Sequence, residues 1–122
     1  MGYELKIMIG RKFKADPHGP PNNEFDVLAM VDLCQCDAKA AIRKLARYGK
    51  EFDDEGVLIA DDHGLKATYD DWGNKFIPVP VEAVLEALVE DFSKYGYKRF
   101  EWAIGLLSKM VNDNMAVIFY GH

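Results

Sequence analysis

The sequence predicts an α+β fold, a mixed or antiparallel sheet of about five to six strands with three helices, and three observations lead to it. Apolar residues alternate with polar ones at the start of the chain, through Tyr3, Leu5, Ile7 and Ile9. Pro78 to Val111 reads as two consecutive amphipathic helices parted at Gly96, and Met115 to Tyr120 closes the chain with almost no polar residue. The expected order is strand, strand, helix, strand, strand, an optional further strand, helix, helix, strand. Helical and extended segments mix without the regular alternation of a parallel sheet, so the helices are expected on one face of a single domain spanning residues 1–122.

In the opening strand Leu5, Ile7 and Ile9 supply one buried face. Residues 16–23 hold three prolines, a glycine and two asparagines, which suit a long exposed hairpin loop. Phe25 to Cys36 is apolar on nearly every residue and predicts a strand covered on both faces, centrally placed in the sheet. Asp32 stands among these apolar neighbours, where a buried carboxylate needs a partner and a strand edge would leave it in water. Asp37 fits the N-cap of a helix from Ala38 to Tyr48, with Gly49 as its stop. Gly56 to Ala60 reads as a short buried strand. Leu65 to Tyr69 and Lys75 to Val79 read as a hairpin around residues 70–74.

The first helix of the pair places Val81, Val84, Leu85, Leu88, Phe92 and Tyr95 on a core stripe and Glu82, Glu86, Glu90, Asp91 and Lys94 on a wet acidic side. Gly96 fits a left-handed C-terminal cap, and Pro80 fits the first turn. The second helix buries Phe100, Ala103, Ile104, Leu107 and Val111. Trp102, Leu106 and Met110 form a second apolar row beside that stripe, which is either further core or a surface for a homo-oligomer.

Composition narrows the function. A chain of 122 residues with 49% hydrophobic content has the make-up of an ordinary globular domain. It shows neither the pattern of a secretory leader nor an apolar run long enough to span a bilayer, and Cys34 and Cys36 are too close along a strand to bridge, so a cytoplasmic protein with reduced thiols and no membrane contact is expected. The net charge of −5 is uneven: residues 1–50 carry nine Lys/Arg against six Asp/Glu, and residues 51–122 carry six against fourteen. That balance argues against nonspecific binding to nucleic acid, whose affinity comes from Lys and Arg displacing counterions.

No phosphate loop, dinucleotide fingerprint or nucleophile elbow is present, so no catalytic residues and no cofactor are expected. His18, His63 and His122 are scattered, and the Cys-x-Cys spacing does not suit a zinc knuckle. Asp53, Asp54, Asp61, Asp62, Asp70 and Asp71, with Tyr69 and Trp72 among them, make an acidic and aromatic zone suited to a basic protein partner. Solvated carboxylates are the simpler account of such turns. The alternative is a small metal-dependent hydrolase using Asp61, Asp62, His63, Asp70 and Asp71, since paired carboxylates bind hard cations and position water. A third reading is a nucleotide-like anion held on the basic helix by Lys39, Arg43 and Arg47.

The opening strand, the DLCQC stretch at 32–36, the DDWGNKFIPVP turn at 70–80, the YKRFEWAIGLL helix at 97–107 and the closing FYGH together resemble small uncharacterised proteins encoded by bacteriophages and prophages. That resemblance spans most of the chain and implies a setting, the host cytoplasm, and a type of work, binding and inhibiting a host protein. It brings no catalytic residue with it.

Overall fold

The alternating opening segment extends as β1 (Glu4–Phe13), and the sheet is assembled around it. A computed structural model describes residues 4–13, 24–35, 41–48, 57, 59–60, 66–67, 69–71, 73, 75–111 and 113–121. β1 pairs antiparallel with β2 (Glu24–Gln35) on one side and with β6 (Ala116–Gly121) on the other. β5 (Val79–Pro80) takes the far edge of β6, giving an open antiparallel sheet in the order β2-β1-β6-β5. β3 (Ile59–Ala60) and β4 (Lys66–Ala67) form a separate two-stranded ladder. Among the described residues the sheet therefore holds four strands, not five to six in a single sheet.

Three helices complete the α+β architecture: α1 (Ala41–Tyr48), α2 (Val81–Tyr95) and α3 (Lys98–Ser108). Gly96 ends α2 at φ 66°, and its N–H bonds to the Phe92 carbonyl at 2.8 Å. That left-handed conformation is open to glycine at no steric cost, which is why the helix stops there. Gly96 and Tyr97 alone connect α2 to α3. No helix among the described residues is long and apolar enough to cross a membrane.

Side chains on a strand alternate between faces, so the sheet builds two cores. Leu5, Ile7, Ile9, Val117 and Phe119 point to the helices and meet Val84, Leu88, Phe100 and Leu107. Met8 and Ile118 point the other way and pack with Phe25, Val57 and Phe76. Of the residues expected inside, Leu85 and Ile104 are half-buried and Tyr95 is exposed.

β2 corrects one expectation. It lies at the edge of the sheet, and Asp26, Leu28, Met30 and Asp32 are exposed along it. Its unbroken apolar run has another cause: the register shifts between Leu5 and Lys6 and between Ile9 and Gly10. A one-residue slip reverses which side chains face the core. Phe25 and Val27 accordingly join the second core, while Ala29, Val31 and Leu33 join the helical one. Gly10 sits at the slip, where a Cβ would fall 1.8 Å from the Asp26 carbonyl oxygen.

The second correction concerns Asp91, expected on the wet face of α2. It is buried, and its carboxylate accepts the main-chain N–H groups of Ala41 at 2.7 Å and Ile42 at 2.9 Å. These donors lie at the start of α1 as described, where main-chain N–H groups lack helical partners. An acid from α2 thus ties α1 to the helical layer. Asp37, the expected cap, lies outside the described residues.

Candidate functional site

The most developed polar arrangement lies on the face of the sheet opposite the helices, where β1 begins and β6 ends. Lys6 stands opposite Asp32 of β2 and opposite Tyr120 of β6. Cross-strand partners share a face, so these three side chains form one row across three strands. The Lys6 ammonium lies 4.6 Å from the Tyr120 ring centroid, a cation–π contact. Phe76 stacks on the same ring at 5.7 Å, which continues the second core up to the polar row.

The turn after Tyr69 docks on the end of this row. Tyr69 and Lys75 bridge across it, and the Gly73 N–H closes it onto the Asp70 carbonyl at 3.1 Å, with Gly73 at φ 81°. The buried Asp70 carboxylate accepts the Gly121 N–H at 3.0 Å, and the Asp71 N–H donates to the Gly121 carbonyl at 3.2 Å. Tyr120 donates its hydroxyl proton to Asp71 Oδ1 at 2.7 Å. Successive acids of one turn therefore grip successive residues of the closing strand.

That grip sets the chemistry of Tyr120. Its pKa is pushed up to about 12, first by the hydrogen bond it donates to Asp71, then by burial and by the charges of Asp71 and Asp70. The phenol stays protonated at neutral pH and serves as a donor. A general acid or base works best with a pKa near the operating pH, and this group lies far from it.

The expected site residues fall unevenly over the molecule. Tyr69, Asp70 and Asp71 are consecutive in one turn, where Tyr69 is exposed (55%), Asp71 is exposed and Asp70 is buried. Asp53, Asp54, Asp61, Asp62, His63 and Trp72 lie outside the described residues, as do Lys39, Cys36, His18 and His122. Arg43 is half-buried on α1, and Arg47 belongs to the same helix. No group of three or more His, Cys, Asp and Glu residues suited to a metal ion occurs among the described residues. The apolar row on α3 divides: Trp102 is exposed (66%), while Leu106 and Met110 pack against the helical core.

Lys6 and Tyr120 escape a reading of the sequence, because the β1–β6 pairing that juxtaposes them joins the two ends of the chain. Asp91 left a signal. It falls seven residues after Val84 and three after Leu88, on the apolar stripe of α2.

Comparison with protein-family models, curated proteins and solved structures gives no match.

Proposed function

We propose that this chain is a non-enzymatic binding module that takes a basic segment of a protein partner on the turn at Tyr69 to Asp71. The observation carrying this reading is the anchoring of the turn: Asp70 is spent on the Gly121 N–H, Asp71 holds the Tyr120 hydroxyl, and Tyr69 and Asp71 remain exposed. A recognition surface gains from being fixed before its partner arrives, because less ordering entropy is lost on binding. An exposed aromatic beside a carboxylate suits the stem and head of a Lys or Arg side chain. In the setting implied by the bacteriophage resemblance, the partner is a host protein in the host cytoplasm and the outcome is inhibition.

An array of Lys- and Arg-containing peptides, followed by calorimetry on the best binder, tests this reading. Tyr69→Ala should weaken binding about tenfold, and Asp71→Asn should weaken it and flatten its salt dependence, since exposed charges act through screened attraction. Binding that both variants leave unchanged overturns the assignment. Stoichiometric magnesium, manganese or calcium binding with metal-dependent hydrolysis, both lost in Asp70→Asn, would replace it with the hydrolase.

A further inference from the structure

The outer faces of α2 and α3, turned away from the sheet, are complementary in charge, independently of the acidic turn. On α2 the stripe opposite the buried Val84 and Leu88 carries Glu82, Glu86 and the half-exposed Val89 (50%). On α3 the stripe opposite the buried Phe100 and Leu107 carries Lys98, Trp102 and Gly105, and the C-cap Lys109 continues it. One stripe is acidic with an aliphatic residue at its C-terminal end; the other is basic at both ends with an indole between them.

No close approach among the described residues requires a glycine at 105. Gly105 lies within an eleven-residue helix, where glycine is destabilising relative to alanine, and nothing stands within 4 Å of the position its Cβ would take. The gap lies one turn from Trp102 on the same side of the helix and opens outward. Three of the four charges on these stripes, Glu82, Glu86 and Lys109, make no ion pair among the described residues, whereas the fourth, Lys98, pairs with Glu101.

We infer that the occupant of this face is a second copy of the chain, related by a twofold axis that lays α3 of each copy across α2 of the other. An isologous contact uses the same patch on both partners, so a face holding both an acidic and a basic stripe satisfies itself twice. Trp102 then covers Val89 of the other copy, Gly105 lets the helices approach, and Lys109 meets Glu86. The chain is acidic overall, and this register spares the two copies an encounter of acid with acid.

Sedimentation equilibrium across micromolar to sub-millimolar concentration tests the inference, with charge reversal as the discriminating arm. The wild type should dimerise, and Glu86→Lys or Lys109→Glu alone should weaken the dimer about tenfold, with the double variant recovering most of the loss. Gly105→Ala should raise the thermal midpoint of the monomer, because it improves helix propensity in open space, and yet weaken association. A wild type that stays monomeric throughout, or a double variant no tighter than either single one, overturns the inference.

Discussion

Asp91 shows how one side chain changes what a helix is for. The carboxylate is 1% exposed and takes two main-chain donors at the start of α1, one of them on the fully buried Ile42. Asp91→Ala strips both acceptors, and leaving a buried donor unsatisfied costs about 1–3 kcal/mol. Urea unfolding should show that loss in the midpoint, and Asp91→Asn, which keeps one acceptor oxygen, should fall between the variant and the wild type. An alanine variant as stable as the parent would mean that α1 does not depend on this acid. Tyr120 is the second decisive residue. Its pKa rises from the ordinary 10.0 to about 12, so the folded chain holds this proton more tightly than the unfolded one. The resulting stability is whole below pH 10, declines as pH climbs between the two values, and is gone once the folded group ionises above about 12. An alkaline titration of phenolate absorbance should show one of the six tyrosines ionising late, and that step should vanish in Tyr120→Phe.

Among the elements, β2 is the one whose sequence and position disagree most. An apolar run usually means a strand covered on both faces, but here the two register shifts against β1 turn different parts of one edge strand toward different cores. Bulges also bend and twist a strand, one means by which edge strands resist pairing with other chains. Gly10 permits the slip, since the Asp26 carbonyl occupies the space a side chain would need. Gly10→Ala should therefore cost about 1–3 kcal/mol, the usual range for overpacking a filled site. Thermal unfolding checks the magnitude; an unchanged midpoint would show that the strands separate at no cost. The helix pair behaves more simply: Gly96 stops α2, and the exposed pairs Lys94–Glu90 and Lys98–Glu101 add little beyond solubility.

At the scale of the molecule, β1 and β6 are the inner strands, and each contributes to both cores. The helical layer closes one face, and Val57 and Phe76 close part of the other, helped by the Val57 N–H bonding the Phe76 carbonyl at 2.9 Å. The acidic turn then fastens to the last strand, so the candidate site is also the point where the covering segment is tied down.

What the sequence determined by itself was everything local. The α+β class, the opening and closing strands, the two consecutive helices and the left-handed stop at Gly96 follow from periodicity and from conformations that only certain residues adopt cheaply, whereas α3 ends at Ser108, a turn short of the expected Val111. The turn between Tyr69 and Lys75 was legible for the same reason, but the expected hairpin of 65–69 with 75–79 reduces to that one bridge, because Lys66 and Ala67 pair with β3 and Val79 pairs with β6. Tertiary structure alone decided which strand lay at the edge, where the register slipped, which acid was buried, and which groups shared the polar row. Each depends on a contact between residues far apart in the chain: Asp91 meets Ala41, Asp71 meets Tyr120, Lys6 meets Tyr120. Local propensity cannot encode such pairings, because the free energy of a buried charge or a cross-strand row exists only once the chain has brought both members together.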